Sequence, residues 1–318
     1  MSKRRINHQQ SARIAKRHSQ LREVSSSEKQ EGLVITRYRH HAQIETPDKL
    51  RIHCSIRPSI DTLVAGDAVA WQMEGKGQGV VISRYPRHTV LGRPDKKGII
   101  KPIAANITQV IIVIAPKPEV SWSLLDSYLV MAENLNLQAS IVLNKIDLPC
   151  NEIRQILHDE YPALGYPVVT TALGDADQFK NLLQQLDNEV SVFVGQSGVG
   201  KSSLISRVLP QESNISIGAI STTEFGRHTT TNSCFYHLPT GGALIDSPGV
   251  RELGLWHMEV AEITRGYREF LPYIQNCKFR DCDHKTSLGC SLLEAVKKGL
   301  VSRQRYNNYV KISTQFAK

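Results

Sequence analysis

The sequence predicts a multidomain protein with an N-terminal OB-like β-barrel, a central α/β domain and a mainly helical C-terminal domain. Three observations predict this order: short strand patterns without helices over residues 32–102, alternating strand and helix patterns from Gln109, and a late cluster of cysteine and histidine. The 318 residues also exceed what one ordinary core accommodates. We therefore divide the chain into a basic tail (1–31), the barrel (32–102), the α/β domain (103–270) and the C-terminal domain (271–318).

The charge of the chain is basic and is concentrated at its start. Formal net charge is +9, and residues 1–30 hold eight lysines and arginines against two glutamates. Such a tail favours a polyanionic partner, and nucleic acid rather than a membrane because no apolar face accompanies the charge. The alternative interpretation is a disordered tail that only aids solubility.

Hydrophobic patterning indicates a cytoplasmic protein without membrane contact, and we expect it to be a monomer. No apolar run approaches about 18 residues and no signal segment begins the chain. The basic, serine-containing start also fits an organelle transit peptide. In the cytoplasm the six cysteines are expected to be thiols or metal ligands. Cys54, Cys150 and Cys234 stand alone and are expected to be small core residues.

The barrel, OB-like or SH3-like, is predicted from closely spaced strand patterns at residues 33–35, 50–56, 68–73 and 80–82. Basic and aromatic side chains accompany two of these strands. Those assigned to the first strand are Arg37, Arg39, His40 and His41, and a second group comes later in the chain: Arg84, Tyr85, Arg87 and His88. They predict either a surface for single-stranded nucleic acid or ordinary solvated strand faces.

A glycine-rich loop between a strand pattern and a helix pattern is the most specific motif. Residues 195–202 read GQSGVGKS, which fits the G-x-x-x-x-G-K-S phosphate loop in its required setting. Amides of the loop can surround a phosphate, Lys201 can neutralise β- and γ-phosphate charge, and the Ser202 hydroxyl can ligate Mg²⁺. The predicted nucleotide contacts of this segment are Gly195, Gln196, Ser197, Gly198, Val199, Gly200, Lys201, Ser202 and Ser203.

A second motif, N-K-x-D, covers residues 144–147 at the end of the strand pattern 139–143. The Asp147 carboxylate can accept hydrogen bonds from the guanine N1–H and exocyclic amine, and adenine offers no matching pair of donors. Asn144 and Lys145 complete this base contact, with Asn144 tying the motif to the phosphate loop. The later turn at Thr171 and Ala172 occupies the position from which a backbone contacts the guanine carbonyl. The expected ligands are therefore GTP and GDP.

Two further segments complete a nucleotide-triphosphate site. Within residues 226–231, Thr230 is the predicted γ-phosphate-dependent Mg²⁺ ligand, and neighbouring Thr229 and Thr231 remain alternatives. Residues 246–249 read DSPG and fit D-x-x-G, in which Asp246 holds Mg²⁺ through water and the Gly249 N–H contacts the γ-phosphate. Val250 follows, where many GTPases carry a water-orienting glutamine.

The order of the motifs predicts a circular permutation, because N-K-x-D precedes the phosphate loop and D-x-x-G follows it. The chain resembles the RsgA family, GTPases of small-ribosomal-subunit assembly. The features that carry the resemblance are the permuted motif order, residues 226–231, the D-x-x-G followed by Val250, the barrel before the α/β domain and the Cys/His cluster after it. The resemblance extends from about residue 32 to the end and includes residues 102–106. It implies GTP hydrolysis stimulated by the small subunit, rRNA contacts by barrel and tail, and a catalytic role for His228 beside Lys201. The alternative for His228 is a structural role in its loop.

The C-terminal cluster reads Cys277-x₄-Cys282-x-His284-x₅-Cys290. Three thiolates and one imidazole predict a closed, structural Zn²⁺ site. An amphipathic helix pattern follows over residues 292–300. Basic side chains accompany it and are expected to contact RNA or to face solvent: Lys297, Lys298, Arg303 and Arg305.

The motifs together predict a GTP hydrolase that acts in late assembly of the small ribosomal subunit and binds its rRNA. Two alternatives remain at this point. One is an RNA-binding nucleotide switch without meaningful catalysis, and the other is a GTPase with a non-ribosomal client, such as a metal-delivery system.

Overall fold

The structure, a computed structural model, describes residues 29–75, 77–94, 99–172, 174–210, 233–247 and 258–316. Five strands form a closed barrel: β1 (Gln30–Tyr38), β2 (His41–Glu45), β3 (Arg51–Ile56), β4 (Ala68–Gly75) and β5 (Gln78–Arg84). Their order is β1-β2-β3-β5-β4, and β4 returns to pair with β1. Strands β3 and β5 are parallel and the other neighbours are antiparallel. This topology confirms the OB-like prediction.

Side-chain alternation along these strands fills the barrel interior. Val34, Ile44 and Val81 point inward and pack around the buried Trp71 ring. A Cβ atom added to Gly79 would lie 2.7 Å from that ring, so the indole requires a residue without a side chain opposite it.

The assignment of Arg39, His40 and His41 to the first strand is wrong. β1 ends at Tyr38, and His41 begins β2, which pairs back on β1 with Tyr38 opposite His41. Arg39 adopts a positive φ of 38° in the connecting turn. The turn contains no glycine, asparagine or proline, so the sequence does not mark it as a hairpin.

Arg87 also differs from its prediction as a surface residue. Its Nε and Nη2 atoms donate to the two carboxylate oxygens of Asp67 at 2.6 and 2.8 Å, and Nη2 also donates to the Thr62 carbonyl. The Arg87 side chain is 9% exposed and Asp67 is fully buried. The arginine is therefore an internal structural residue beside the barrel and is not free to contact a partner.

A separate hairpin connects the barrel to the α/β region. It consists of β6 (Val90–Pro94) and β7 (Ile100–Ala105), and a bridge between Ala65 and Ala104 links it to the barrel. The proposed boundary after residue 102 lies inside β7.

The α/β sheet contains β8 (Gln109–Ile114), β9 (Gln138–Leu143), β10 (Val168–Thr170), β11 (Val190–Val194), β12 (Cys234–His237) and β13 (Ala243–Asp246). The spatial order is β10-β9-β8-β11-β13-β12, and all neighbours are parallel except β12 and β13. From β8 the chain builds one side of the sheet (β9, then β10), and from β11 it builds the other side (β12 at the edge, then β13). These two adjacent strands therefore form the topological switch point, where α/β sheets bind ligands at the carboxyl ends of their strands.

Helices cover both faces of this sheet: α1 (Trp122–Asn134), α2 (Asn151–Glu160), α3 (Ala176–Leu186) and α4 (Lys201–Val208). All six residues of β8 are buried, as its continuous apolar run predicts. Val110 and Ile112 pack into the core that contains α1, whereas Ile111 and Val113 pack into the core that contains α3 and α4. Alternate residues of β8 thus pack against the helices on opposite faces of the sheet.

The barrel and the α/β sheet are hydrogen-bonded to each other, which the sequence does not indicate. β1 pairs with β12 in antiparallel orientation, with Thr36 opposite Cys234. Nearby, the Glu45 carboxylate lies 2.6 Å from His237 Nε2 and accepts a hydrogen bond from Lys49 Nζ at 3.1 Å. The hydrogen bonding of the α/β sheet therefore continues from its edge strand β12 into the barrel.

The C-terminal region is helical, as predicted, with α5 (Val260–Arg265), α6 (Leu271–Ile274), α7 (Ser291–Lys297) and α8 (Arg303–Phe316). Short 3₁₀ segments lie at Pro162–Leu164 and Arg268–Phe270. Tyr309 and Ile312 of α8 share a core with α1. Among the helices in the described ranges, none combines the length and the apolarity that crossing a bilayer requires.

Arg305 contradicts the prediction of an RNA-facing or solvent-facing side chain. It is 1% exposed, and its Nη1 and Nε atoms donate to the carboxylates of Asp126 on α1 and Glu269 at 2.6 and 2.5 Å. Asn308 Nδ2 donates to the second Asp126 oxygen at 2.8 Å. The sequence pattern does not predict α8, and an arginine at a core position is not recognisable without its acidic partners. Lys297, Lys298 and Arg303 are exposed, as expected.

Candidate functional site

The predicted nucleotide motifs meet at one edge of the α/β sheet. Asn144 follows β9, Thr171 follows β10, Gly195 follows β11, and Asp246 is the last residue of β13. Since these strands are parallel, their carboxyl ends lie side by side at the switch point. Motifs that are far apart in the sequence therefore surround a common space.

The phosphate loop needs glycine at three positions for its backbone path. Gly195, Gly198 and Gly200 have φ angles of 138°, 83° and 99°. A Cβ atom on Gly195 would lie 2.1 Å from the Val113 carbonyl oxygen, and one on Gly200 would lie 2.3 Å from Asn144 Nδ2. The loop is thus pressed against β8 and against the N-K-x-D motif.

Lys201 is buried beneath this loop at the start of α4. Its ammonium donates to the carbonyl oxygens of Gly195 and Gln196 at 2.6 and 2.5 Å. Ser202 and Ser203 follow it and are half-buried, while Ser197 and Gly198 are exposed at the loop crest. The loop thereby places a positive charge and a helix N-terminus at the same edge.

Asn144 joins three of the loops. Its Nδ2 donates to the Val199 carbonyl at 2.9 Å, and its Oδ1 accepts from the Thr171 hydroxyl at 3.0 Å. All three groups are buried. The predicted connection between N-K-x-D and the phosphate loop is therefore present in the structure, with Thr171 as an additional member.

Lys145 crosses from the same motif to the crest of the phosphate loop. Its Nζ donates to the carbonyls of Gly198 and Lys117 at 2.6 and 3.0 Å, and its own φ is 60°. Lys117 lies in the loop after β8, and Ser121 of that loop donates its backbone N–H to Gln196 Oε1 at 3.1 Å. No motif in the sequence identifies this loop as part of the site. Its only signal is its position directly after an apolar strand at the switch point.

A cavity of about 730 Å³ lies beside these residues and has the size of a ligand pocket. Its lining consists of Lys145, Asp147, Ala172, Gly174, Asp175 and Ala176. The Asp147 side chain is exposed to this space. An acceptor-only carboxylate is thus available to a base that presents two adjacent N–H donors.

Several predicted site residues lie outside the described ranges. These are His228, Thr229, Thr230, Thr231, Gly249 and Val250. Asp246 is described, at the end of β13, and lies on the strand adjacent to the one that leads into the phosphate loop.

The C-terminal cysteines and histidine converge on one point. The Sγ atoms of Cys277, Cys282 and Cys290 and a ring nitrogen of His284 all lie within 4.8 Å of one another. His284 Nδ1 is 3.5 Å from Cys277 Sγ and 3.7 Å from Cys290 Sγ, and those two sulfurs are 3.9 Å apart. A tetrahedral ion with Zn–S bonds of about 2.3 Å needs ligand separations of roughly 3.5–3.8 Å. The donor set and its spacing fit such an ion.

Local structure supports these ligands. Burial lowers the pKa of His284, which favours the neutral imidazole that can ligate a metal, although nearby Asp283 opposes the shift. The Asp283 carboxylate accepts hydrogen bonds from the backbone N–H groups of Lys285, Thr286 and Ser287. The Tyr306 hydroxyl of α8 donates to the His284 carbonyl at 3.0 Å. The cluster is therefore anchored to both its own loop and α8.

The sequence matches the profile of a family described as RsgA GTPase over residues 84–256, more than half of the chain. A protein of Vibrio parahaemolyticus named small ribosomal subunit biogenesis GTPase RsgA 1 is 44% identical over 322 residues, which cover 97% of this chain and 91% of the relative. A Haemophilus influenzae (strain PittGG) protein named small ribosomal subunit biogenesis GTPase RsgA is 43% identical over 291 residues, covering 89% and 84%.

Solved structures agree with the architecture. The crystal structure of YjeQ from Thermotoga maritima superposes with a TM-score of 0.75 at 29% identity, covering 91% of this chain and 99% of that chain. The structure of YloQ, described as a circularly permuted GTPase, gives a TM-score of 0.73 at 26% identity and covers 92% and 97%. The predicted permutation and the three-part fold are confirmed.

Proposed function

The chain belongs to the RsgA family of GTPases, and from this premise we propose that it hydrolyses GTP during late maturation of the small ribosomal subunit. One observation carries the proposal: phosphate loop, N-K-x-D and the D-x-x-G aspartate gather at the switch point of a permuted sheet. The relatives named above are small ribosomal subunit biogenesis GTPases. We accordingly propose the small subunit and its rRNA as partners, and the cytoplasm as the location.

Recognition of the base is assigned to Asp147 and its neighbours. The exposed Asp147 carboxylate accepts from the guanine N1–H and amine, and Asn144 and Lys145 brace it against the phosphate loop. Backbone at Thr171 and Ala172 contacts the C6 carbonyl. A nucleotide without the paired donors leaves the carboxylate unsatisfied, which disfavours adenine.

Hydrolysis requires stabilisation of charge on the phosphates. Mg²⁺, when bound with GTP, supplies positive charge at the β- and γ-phosphate oxygens, and Ser202, Thr230 and Asp246 are its proposed holders. Lys201 donates to loop carbonyls in the structure, and these hydrogen bonds exchange for phosphate oxygens when nucleotide enters. The Gly249 N–H is proposed to contact the γ-phosphate.

His228 is proposed to position the attacking water, because Val250 cannot do so. Both residues lie outside the described ranges, so this role rests on the family resemblance. His228→Ala is expected to reduce kcat strongly while GTP affinity stays nearly unchanged, measured by single-turnover hydrolysis and equilibrium binding. A parallel loss of affinity and hydrolysis indicates a structural histidine.

For the Cys/His cluster we propose one structural Zn²⁺. Cys277, Cys282, His284 and Cys290 supply four ligands, the number that closes a tetrahedral site. The ion stabilises the C-terminal region, and no part in hydrolysis is assigned to it.

The central experiment is multiple-turnover GTP hydrolysis with and without purified small ribosomal subunits. We expect slow turnover alone, a large increase with subunits, and loss of both in Lys201→Ala. Lys180→Ala is the matched control, because Lys180 is an exposed lysine on α3. A rate that ignores subunits contradicts the ribosomal role, and subunit binding without turnover favours a nucleotide switch.

Removal of residues 1–29, which precede β1, separates the ribosomal proposal from a non-ribosomal client. The truncated chain is expected to bind small subunits more weakly and with a shallower salt dependence, since the tail holds eight cationic residues. Sedimentation binding at several salt concentrations measures both quantities. Equal binding by the full and truncated chains contradicts an RNA-binding role for the tail.

A further inference from the structure

Arg207 connects the phosphate-loop helix to the turn that lines the nucleotide cavity. It lies in the last turn of α4, the helix that begins with Lys201. Its Nη1 donates to the Ala172 carbonyl and its Nη2 donates to the Asp175 carbonyl, both at 3.1 Å. We call the buried Thr171 and the cavity-lining residues Ala172, Gly174 and Asp175 the base turn.

The orientation of the guanidinium is fixed from a second side. Its central carbon lies 3.9 Å from the centroid of the Phe179 ring on α3, a cation–π contact. A planar group stacked in this way presents its two N–H edges in a defined direction. Arg207 therefore holds both carbonyls of the base turn with a preoriented fork.

The two ends of the base turn are secured differently. At its start, the Thr171 N–H donates to Leu143 of β9 and its hydroxyl donates to Asn144. At its end, the Asp175 N–H donates to the Ala172 carbonyl at 3.3 Å and the Asp175 carboxylate caps α3 at Gln178. Arg207 bonds to both Ala172 and Asp175, so it joins this later part of the turn to α4.

We propose that Arg207 is a positioning residue that sets the affinity of the site for the C6 oxygen of guanine. It acts through the base turn, whose backbone contacts that oxygen, and this inference rests on the proposed guanine-nucleotide function. Helix α4 then carries the phosphate contacts at its first turn and the support for the base contact at its last turn. One short helix thus aligns the two ends of the nucleotide.

Three diphosphates separate this role from general support of the fold. GDP carries both the C6 oxygen and the amine, inosine diphosphate keeps the oxygen but lacks the amine, and 6-thio-GDP replaces the oxygen by a weakly accepting sulfur. Calorimetry with Mg²⁺ is expected to give roughly tenfold weaker binding of GDP and inosine diphosphate to Arg207→Ala, with little change for 6-thio-GDP. The preference for GDP over 6-thio-GDP falls, and the preference over inosine diphosphate, which reports Asp147, stays.

Arg207→Lys keeps the charge but loses the planar fork, and is expected to show the same pattern with a smaller amplitude. If Arg207→Ala does not fold, the same binding measurements are made on Arg207→Lys. Arg154→Ala, which removes an exposed arginine from α2, is the control and is expected to bind all three ligands like the original protein.

Equal weakening of all three ligands, or no change in any, overturns the positioning role. Failure of the underlying function looks different: the unaltered protein then binds GDP and ADP equally. If the unaltered protein prefers GDP to ADP but the Arg207 variants keep the full preference for GDP over 6-thio-GDP, only the inference about Arg207 is refuted.

Discussion

Two regions of the molecule enclose cationic side chains, and the hydrogen-bond acceptors of these cations differ between the two regions. At the nucleotide edge, Lys145 and Lys201 donate to neutral backbone carbonyls of the loops around them. In the seam between α1 and α8, Arg305 is enclosed between the carboxylates of Asp126 and Glu269. Neutral carbonyls can be exchanged for phosphate oxygens, whereas a buried cation cannot leave its carboxylates without exposing uncompensated charge. The lysines at the nucleotide edge can therefore exchange their acceptors when a ligand binds or leaves, whereas the arginine in the seam makes a permanent contact.

The surroundings of the two regions reinforce this contrast. The Arg305 guanidinium lies 5.3 and 5.0 Å from the ring centroids of Tyr161 and Tyr267. Burial raises the pKa of Asp126 to about 6, although Arg305 opposes the rise. A charged carboxylate at this position is therefore tolerated because of its partners, and each partner is needed.

Loss of the proposed Zn²⁺ is expected to have the largest effect on the C-terminal region. Structural zinc contributes about 10–16 kcal/mol in zinc-finger peptides, and the three thiols have no comparable alternative partner when it leaves. Cys290→Ser should therefore lose bound zinc, measured by elemental analysis, and expose residues 277–290 to proteolysis. Cys234→Ser changes a thiol outside the cluster and should keep the metal. Full zinc content in Cys290→Ser contradicts the assigned ligand set.

Arg305→Ala is expected to be the next largest change. It leaves Asp126 and Glu269 without their cation and should lower the free energy of unfolding by about 3–5 kcal/mol, measured by urea denaturation. Arg303→Ala, two residues away and exposed, should change it by less than about 0.5 kcal/mol. GDP affinity of the folded protein should stay unchanged in both variants. Equal stabilities of the two variants contradict a structural seam.

Asn144→Ala should show the reverse pattern, with a loss of binding. It removes the hydrogen bonds to Val199 and Thr171 that join three loops, and should weaken GDP binding by about 2–3 kcal/mol in calorimetry. Asn134→Ala is the matched control, because the Asn134 amide also donates to backbone carbonyls but on the helical side of the molecule. If both variants bind GDP equally, the loops are not coupled through Asn144.

The smallest effect is expected where the barrel meets the sheet. Burial raises the pKa of Glu45, but hydrogen bonds from Lys49 and His237 outweigh burial and hold it below its ordinary value of 4.5. A lowered folded-state pKa contributes stability above the ordinary pKa and loses it as the pH falls further. Glu45→Gln should cost about 1 kcal/mol at neutral pH, and the difference should vanish in acid. A difference that stays constant as the pH falls from neutrality through the lowered pKa of Glu45 contradicts this ionic contact.

Local motifs could be predicted from the sequence because their chemistry depends on residues close together in the chain. The phosphate loop, N-K-x-D and the Cys/His cluster have this property, and the structure brings their described members together. The permutation also follows from motif order, since each motif within the described ranges lies at the carboxyl end of a strand of the same sheet.

Contacts between distant segments could not be predicted in the same way. Arg305 and Arg87 resemble surface arginines until their partners Asp126 and Asp67 are known, and these partners are set by the fold. The pairing of β1 with β12 depends on the later part of β1, beyond its pairing with β4, meeting the edge strand of the α/β sheet. Neither strand carries a signal for the other. Arg207 belongs to the same class, because its acceptors are backbone carbonyls and carry no side-chain identity.

The guanine site is tested most directly by changing Asp147 to asparagine. Xanthosine diphosphate carries a carbonyl where GDP carries the C2 amine, so an amide donor complements xanthine and a carboxylate complements guanine. Calorimetry should give at least roughly tenfold weaker GDP binding and correspondingly tighter xanthosine diphosphate binding in Asp147→Asn. If the variant and the original protein bind both nucleotides alike, Asp147 does not contact the base, and the carboxyl edge of this sheet is not the guanine site described.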